Sequence, residues 1–530
     1  MRQLEILVRS NDIAAATALA EHLLASGDAH PLALSLLGAA RQSQGRFDEA
    51  IVLLRRRARL TPHLAEVWVA LGDCMLAARR PGAATVAYDA ALHIAPSDAA
   101  ALCGKARLLH SQSQSKAAER LFDRALGAAP DWPDARLGLA NLAIEAGDWT
   151  KAAEQASLLG ARTPARAATW LWARIELGKG ELAAAEARLR TMLCTRDLEP
   201  LQRADTLLLL SAALDGLGRT CEAFIAAQDG KSIQREAYAE RASSRESETA
   251  KLSRLQRWFQ SCDPEPWRST PSTSPVAGEA RQHLFLLGFP RSGTTLLEQA
   301  LAGHPEVTAL EEAPTLAAPY DAFLSSAEGL ERLSRLTAAE AAPWRARYWQ
   351  EVDGFGVVAG ARLFVDKNPA GALYLPLIAK LFPEAKVLFA VRDPRDVVLS
   401  CFRNNFQINA MTYAFTTLTD AAACYDACMS MMGAYAAVLP VSMMRAPHEQ
   451  LIEAFEPELK VVCDFIGIDL TPDMLDVAAT ARRRVVRTPS APQVRAGLNR
   501  RGVGRWRAYA DDLAPVLPIL NTWASRFGYD

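Results

Sequence analysis

The stretch His283-Leu-Phe-Leu-Leu287, followed by Gly288-Phe-Pro-Arg-Ser-Gly-Thr-Thr295, decides the fold of the C-terminal half of this 530-residue chain. Its first five residues form a short apolar run that is typical of a buried parallel strand. The glycine-containing segment leads into Leu296–Ala302, a predicted helix that ends near Gly303. A strand, a glycine loop and a helix in this order place backbone N–H groups at a helix N-terminus, where anions bind. The sequence therefore predicts a phosphate-binding loop at 288–295.

One position of this loop restricts its ligand. Two glycines separated by four residues match the Walker A spacing, but Thr294 stands where that motif has lysine. Without the lysine, a nucleoside triphosphate is poorly neutralised, whereas one nucleotide phosphate that bears a sulfonate needs less charge. The candidate ligands in the loop are Arg291, Ser292, Gly293, Thr294 and Thr295. A Gly/Pro turn with polar side chains and no ligand is the alternative.

A second junction of strand and helix lies about a hundred residues further on. Ala385–Val391 is a mostly apolar run of strand length, and Arg392-Asp-Pro-Arg-Asp396 separates it from a predicted helix that carries Ser400. We expect Arg392 and Ser400 to bind a second phosphate. In the structural alternative, the two acidic residues cap the helix and Arg395 pairs with them.

The N-terminal half has a period of 34 residues. Prolines recur at 62, 96, 130 and 164, and alanines recur at 50, 84, 118 and 152. One unit reads as two short helices, 65–80 and 82–96, in which small residues permit close approach and proline ends the unit. The pattern resembles the tetratricopeptide repeat and predicts an all-α solenoid. Such an array binds a protein or peptide, or serves as a spacer or dimerisation arm.

Three segments follow from these patterns. We expect a helical repeat array over 1–245, a connecting helix and linker over 246–282, and an α/β domain over 283–530. Helical patterning in Arg203–Gly216 indicates one more, degenerate, helix pair. Cys262–Pro275 contains four prolines among serines and threonines, so no regular element is expected there.

Composition narrows the functional classes. The formal net charge of −1 gives no indication of a nucleic-acid partner, and no apolar run is long enough to span a membrane. The charged N-terminus does not resemble a signal peptide, and nine scattered cysteines suit a reducing compartment, so we expect a cytoplasmic protein. No cysteine and histidine set has metal-ligand spacing, so no metal is expected.

Together, the two junctions resemble the sulfotransferase superfamily. Residues 288–301 are similar to its 5′-phosphosulfate loop and 387–400 to its 3′-phosphate motif, and the likeness extends over about 283–510. It is strongest to the protein-tyrosine sulfotransferase branch, and to bacterial proteins that join tetratricopeptide repeats to such a domain. The resemblance implies a P-loop-like α/β domain with a central parallel sheet, and 3′-phosphoadenosine-5′-phosphosulfate as the sulfonate donor.

The resemblance also implies roles for individual residues. His304–Leu316 is similar to the branch's acidic element and makes Glu312 the general base, which suits an acceptor phenol with a pKa near 10. Lys367 and Arg291 correspond to residues that stabilise the transferring group. Ser490 and Arg505 correspond to residues that close over the nucleotide. The chain departs from the branch at His448, which stands in place of a tyrosine.

Several alternatives remain open at this stage. The acceptor is a protein tyrosine, or else a carbohydrate, lipid or small-molecule hydroxyl. The chain is an active enzyme whose repeats recruit the acceptor, or an inactive scaffold. A P-loop kinase is disfavoured by the missing lysine, and a homodimer is a further expectation.

Overall fold

A computed structural model describes residues 2–10, 12–78, 80–112, 114–159, 165–195, 198–268, 275–360, 362–484, 490–495 and 497–529. Its contacts divide the chain into two compact units, Met1–Leu171 and Trp172–Asp530. The first unit contains the helices α1 Arg2–Arg9, α2 Ile13–Ala25, α3 Pro31–Ser43, α4 Phe47–Leu60, α5 Ala65–Ala77, α6 Pro81–Ile94, α7 Ala99–Ser111, α8 Ser115–Ala128, α9 Pro133–Ala146 and α10 Trp149–Ser157. The helix α11, Ala165–Lys179, runs across the division.

The helices of the first unit follow the predicted period. The helices α3, α5, α7 and α9 begin at 31, 65, 99 and 133, and α4, α6, α8 and α10 begin at 47, 81, 115 and 149. Both series advance by 34 residues, which confirms the solenoid of helix pairs. The prolines at 62, 96 and 130 each lie two residues beyond a helix end, whereas Pro164 lies outside the described residues.

Small residues explain why the paired helices pack so closely. The periodic alanines 50, 84, 118 and 152 are completely buried. Gly72 and Gly104 both face the buried ring of Tyr88, and a Cβ at either position would overlap that ring. Gly138 faces Phe122 in the same way. Glycines of neighbouring helices therefore make room for the rings of Tyr88 and Phe122.

The second unit begins with further helices. They are α12 Leu182–Leu193, α13 Pro200–Gly216, α14 Thr220–Ser243, α15 Glu248–Ser261 and α16 Glu265–Arg268. The pairing of α13 with α14 agrees with the degenerate helix pair expected near 203–216. The expectation that 262–275 lacks regular structure is wrong for α16, a single turn that buries Trp267 against the core.

The predicted division into 1–245, 246–282 and 283–530 concerns sequence pattern and stays a prediction. The compact units are defined by packing instead. Packing places the helices from α12 through α15 in the same unit as the α/β part of the chain. Apolar side chains of α13, α14 and α15, such as Leu208, Phe224 and Leu255, share one core with the sheet.

A five-stranded parallel sheet forms the centre of the second unit, as predicted. Its strands are β1 Gln282–Gly288, β2 Val307–Glu311, β3 Leu363–Lys367, β4 Lys386–Val391 and β5 Ser442–Pro447, in the spatial order β2-β3-β1-β4-β5. Successive side chains of β1 alternate between two cores, since Phe285 packs on one face and Leu284 and Leu286 pack on the other. Helices cover both faces, which explains the continuous apolar runs of these strands.

The remaining elements surround this sheet. The helices are α17 Thr294–Leu301, α18 Ala317–Pro319, α19 Ala327–Ser334, α20 Ala338–Gly354, α21 Leu375–Leu381, α22 Pro394–Arg403, α23 Ala410–Ala414, α24 Leu418–Val438, α25 His448–Glu453, α26 Phe455–Ile466, α27 Pro472–Leu475, α28 Val477–Arg483, α29 Ala491–Arg495, α30 Ala510–Leu513 and α31 Leu517–Phe527. A π-helical turn spans Tyr320–Leu324, and 3₁₀ turns span Pro369–Tyr374 and Arg505–Tyr509. Within the described ranges, no helix is long and apolar enough to cross a membrane.

The glycine packing generates a stability prediction with opposite signs at two positions. We expect Gly104→Ala to destabilise the first unit by about 1–3 kcal/mol, because the added methyl overlaps the ring of Tyr88. Gly127, in α8, serves as the control position, because a methyl group added there by Gly127→Ala meets only open space. This control should stabilise by about 0.5–1 kcal/mol through helix propensity. Urea unfolding followed by circular dichroism measures both, and equal effects would contradict the packing account.

Candidate active site

All five strands end at the same edge of the sheet, and each end contributes a polar residue. Because the strands are parallel, their carboxyl ends meet where ligands bind in open α/β sheets. The residues at or directly after the ends of β1 to β5 are, in order, the loop 288–295, Glu311 with Glu312, Lys367, Arg392 and His448. The topology therefore brings together the glycine loop, the acidic pair, the lysine and the second arginine that the sequence analysis selected.

The loop needs its two glycines for different reasons. A Cβ at Gly288 would lie 2.9 Å from the carbonyl oxygen of Ala390 on the adjacent strand. Gly293 has a φ of 100°, and a Cβ there would lie 2.5 Å from Nδ1 of His448. Thr294 then begins α17, so the loop backbone passes close to β4 and to the ring of His448 before it reaches the helix N-terminus.

Arg291 is the buried centre of the loop. Its Nε donates to Ser400 Oγ at 2.9 Å, its Nη1 donates to Ser490 Oγ, and its Nη2 donates to Gln493 Oε1 at 3.3 Å. Burial, together with the nearby charge of Arg392, lowers the pKa of Arg291 to about 10. The guanidinium thus stays charged at neutral pH, and it joins the loop to α22 and to the tail segment that carries Ser490 and Gln493.

Arg392 and His448 lie next to the loop, directly after β4 and β5. Arg392 donates to the carbonyl oxygens of Arg291, at 3.2 Å, and of Gly502. Burial and the two arginine charges lower the pKa of His448 to about 3, so its imidazole is neutral at physiological pH. Arg392 Nε and His448 Nδ1 are buried without a hydrogen-bond partner among the described residues. A nucleotide phosphate at this position fits both arginines and these two nitrogens.

Lys367 is completely buried among three carboxylates. Its Nζ lies 2.9 Å from Glu312 Oε1, 3.0 Å from Glu311 Oε1 and 3.8 Å from Glu298 Oε2. Burial alone would lower the pKa of Lys367, but the charges of Glu311, Glu312 and Glu298 outweigh it and raise that pKa. A buried lysine therefore lies at the same sheet edge as the loop, at the end of β3. Arg484 Nη1 approaches Glu298 Oε1 at 3.4 Å.

Exposure distinguishes the three carboxylates around Lys367. The side chain of Glu298 is 1% exposed, that of Glu311 is 14% exposed, and that of Glu312 is 46% exposed. Glu312 is thus the carboxylate of this cluster that a molecule from solvent reaches most easily.

Backbone strain marks two of the three residues that the sequence analysis named as catalytic. Arg291, with φ 72°, and Glu312, with φ 51°, are the non-glycine residues with positive φ in the described ranges. The Glu312 N–H donates to the carbonyl oxygen of Lys367 at 2.7 Å, which holds the strained turn beside the lysine. Left-handed backbone at bulky residues costs energy and is concentrated at functional sites.

The remaining predicted ligands divide into two groups. Ser292, Thr294 and Thr295 are buried within the loop and at the start of α17. Arg505 does not join them, because its guanidinium binds Asp215 at 2.5 Å. Ser490 is at the site, whereas the adjoining stretch 485–489 lies outside the described residues.

The alternative interpretation of 392–396, in which its two aspartates cap α22 and pair with Arg395, is correct for Asp393 only. Asp393 caps α22 and pairs with Arg395, as that alternative requires. Asp396 instead accepts hydrogen bonds from the N–H groups of Gly504 and Trp506, at 2.6 and 2.7 Å. Both aspartate roles leave Arg392 at the end of β4, because Asp393 is the N-cap of α22 and Asp396 lies in its first turn.

Glu298 and Gln493 are two residues of the site that the sequence patterns do not predict. Glu298 is a completely enclosed acid in α17, and burial beside Glu311 raises its pKa to about 7. A carboxylate inside a helix predicted to cover a sheet was the signal that could have found it. Gln493 follows Ser490 by three residues, so the helical spacing of α29 places both beside Arg291.

The lysine cluster generates a prediction of pH dependence. We expect Lys367→Met to lower the unfolding free energy by about 3–5 kcal/mol at pH 8, because it leaves buried carboxylates without their cation. Burial raises the folded-state pKa of Glu298 to about 7, so Glu298 binds a proton more readily in the folded state, and the loss should shrink as the pH falls through about 7 toward 5. Denaturant unfolding at both pH values measures this.

The exposed Lys460→Met provides a matched control, since Lys460 pairs with Asp464 on the surface of α26. It should change stability by less than about 0.5 kcal/mol at either pH. A loss for Lys367→Met that does not depend on pH would contradict the charge-cluster account.

Comparisons with known proteins find two families in this chain. A family model described as the sulfotransferase family matches residues 283–472, and one described as tetratricopeptide repeat matches 109–171. An uncharacterized protein of Aquifex aeolicus is 27% identical over 248 residues, which are 46% of this chain and 32% of that protein. The nodulation protein NoeE of Sinorhizobium fredii is 33% identical over 131 residues, 22% of this chain and 30% of NoeE. This chain thus spans about a third of the length of these two relatives.

Two further similarities concern one animal enzyme and one solved structure. Protein-tyrosine sulfotransferase 2 of Gallus gallus is 26% identical over 271 residues, 47% of this chain and 69% of that protein. The sulfotransferase domain of the Synechococcus PCC 7002 olefin synthase is 24% identical, with a TM-score of 0.31, and covers 49% of this chain and 99% of that domain. The two family models thus identify tetratricopeptide repeats at 109–171 and a domain of the sulfotransferase family at 283–472 of this chain.

Proposed function

We propose that this protein is a sulfotransferase that uses 3′-phosphoadenosine-5′-phosphosulfate and an acceptor hydroxyl. The observation that carries the proposal is the convergence, at one sheet edge, of a phosphate loop without lysine, a second arginine and a lysine–glutamate pair. The match of 283–472 to the sulfotransferase family supports it. Arg291, Arg392, Ser400 and Ser490 form the nucleotide side, and Lys367 and Glu312 form the acceptor side.

The proposed reaction is balanced without a metal or a redox step. The donor, when bound, supplies a sulfonate that is activated by its phosphate leaving group. The acceptor oxygen forms a bond to sulfur, the S–O bond to the phosphate breaks, and the acceptor proton passes to the base. The products are a sulfate ester and adenosine 3′,5′-bisphosphate. Lys367 and Arg291 stabilise the negative charge that develops on the oxygens during transfer.

Glu312 suits the role of base because of its place in the lysine cluster. Its exposed carboxylate is within reach of an acceptor, whereas Glu298 and Glu311 are largely enclosed. If Glu312 takes a proton, Lys367 keeps two other carboxylates as partners. The charge of the buried lysine therefore remains compensated through the proton transfer.

For the acceptor we propose a tyrosine of a protein or peptide. The similarity to protein-tyrosine sulfotransferases supports this choice, and a carboxylate base suits a phenol whose pKa is far above neutral. The helix pairs of the first unit would hold the polypeptide that carries the tyrosine, since solenoids of this kind offer extended surfaces to such partners. A carbohydrate, lipid or small-molecule hydroxyl is the competing acceptor.

The nucleotide assignment predicts a selective thermal shift. Adenosine 3′,5′-bisphosphate at a hundred times its Kd should raise the Tm by about 2–4 °C, because binding stabilises only the folded state. Arg392→Met should abolish the shift, and Arg335→Met, at an exposed arginine paired with Glu331, should preserve it. A shift with ATP and Mg²⁺ but none with the bisphosphate would refute the proposed function.

The assigned base predicts a catalytic loss without a binding loss. Glu312→Gln should lower kcat by about 10²–10⁴-fold while bisphosphate affinity, measured by calorimetry, stays within about twofold. Glu311→Gln, the adjacent acid, should retain far more activity. Transfer of ³⁵S-labelled sulfonate from the donor into a lysate of the source organism, with mass spectrometry of the product, serves as the assay and identifies the acceptor. Equal labelling by Glu312→Gln and the unaltered chain would exclude Glu312 as the base.

A further inference from the structure

Asp215, at the end of α13, binds side chains from two other parts of the second unit through hydrogen bonds and ion pairs. Its Oδ1 lies 2.5 Å from Nη2 of Arg505, 2.5 Å from the hydroxyl of Tyr509 and 3.1 Å from Nη1 of Arg403. Arg505 also donates to the Asp215 carbonyl oxygen at 3.3 Å. Arg403 lies in α22, whereas Arg505 and Tyr509 are the ends of the 3₁₀ turn in the C-terminal tail. Asp215 thus ties α13, α22 and the tail together.

The tail that Asp215 holds reaches the phosphate side of the site. The carbonyl oxygen of Gly502 accepts a hydrogen bond from Arg392, and a Cβ at Gly502 would lie 2.8 Å from Nη2 of that arginine. Asp396, in the first turn of α22, accepts hydrogen bonds from the N–H groups of Gly504 and Trp506. Residues 502–509, here called the tail clasp, are therefore fixed by Arg392 and Asp396 at one end and by Asp215 at the other.

Aromatic contacts reinforce the Asp215 end of the tail clasp. The guanidinium of Arg403 lies 4.8 Å from the ring centroid of Tyr509, which is itself buried. Phe224 of α14 packs between Phe402 and Tyr509, at ring-centroid distances of 5.4 and 6.4 Å. The helix pair α13–α14 thus supplies both a charge and an apolar surface to this segment.

We infer that Asp215 is a positioning residue for nucleotide binding, which it supports by anchoring the tail clasp through Arg505. The inference rests on the proposed function for its nucleotide readout. It changes the role expected for Arg505: the arginine binds a carboxylate of α13 and holds the tail, and does not contact the nucleotide. Gly502 then stays against Arg392, so that this arginine keeps its orientation toward the phosphate.

A double-mutant cycle in the full-length chain separates anchoring from direct ligation. If Asp215 and Arg505 act as a pair, Asp215→Asn and Arg505→Met should each raise the Kd for adenosine 3′,5′-bisphosphate about tenfold. The double variant should show no further increase. If Arg505 is a phosphate ligand instead, Arg505→Met weakens binding while Asp215→Asn leaves it unchanged, which overturns the inference.

Hydrogen exchange provides a readout that does not depend on activity. Both variants should accelerate amide exchange in 500–509, while Asp229→Asn, the same change at an exposed position of α14, should not. With an active preparation, KM for the donor should rise while kcat stays within about twofold, because the anchor affects binding geometry. Unchanged exchange in 500–509 for both variants would overturn the inference.

These experiments distinguish failure of the proposed function from failure of the Asp215 anchor. If the unaltered chain fails to bind the bisphosphate, the proposed function fails, and the exchange data still decide whether Asp215 anchors the tail clasp. If Asp215→Asn does not fold, Arg505→Met tests the same contact from the tail side, where its removal leaves α13 intact.

Discussion

Two buried guanidinium groups beside each other are the constraint on which the candidate site depends. Arg291 lies in the glycine loop and Arg392 directly follows β4, and Arg392 donates to the backbone oxygen of Arg291. The hydrogen-bond acceptors of Arg291 are the neutral side chains of Ser400, Ser490 and Gln493. Buried like charges are costly unless an opposite charge approaches. Much of the surrounding structure holds the two cations in place, which prepares the site for an anion.

The cationic pair and the lysine cluster divide the sheet edge into two electrostatic regions. On one side, the arginines contact hydroxyls, an amide and backbone carbonyls, and the buried carboxylate of Asp396 lies 3.9 Å from Arg392. On the other, Lys367 lies among Glu298, Glu311 and Glu312. Separate regions of opposite character suit a reaction in which one substrate carries phosphates and the other loses a proton. The strained backbone at Arg291 and Glu312 places one residue of positive φ in each region.

The helix pair α13–α14 illustrates how a sequence pattern and a packing role differ. Its small residues and helical periodicity resemble those of the repeats, which is why the sequence analysis assigned it to the array. In the folded chain, Lys231 of α14 is buried and donates to the carbonyl oxygen of Asn404, and the side chain of Asn404 donates to Ser400 Oγ. With Asp215, this contact makes the pair part of the support for α22. These repeat-like helices thus hold α22, which carries Ser400, in position.

Local patterns in the sequence determined the helix period of the first unit, the strand-loop-helix junctions and the identity of the loop residues. These features depend on neighbours within one helical turn or one strand, and on glycines whose conformation few other residues adopt. The tertiary structure decided the enclosure of Glu298 by Lys367 and Arg484, and the pairing of Arg505 with Asp215 across 290 residues of chain. Such contacts form only when the strand order brings distant segments together, so the physical reason is topology, which local propensity does not encode.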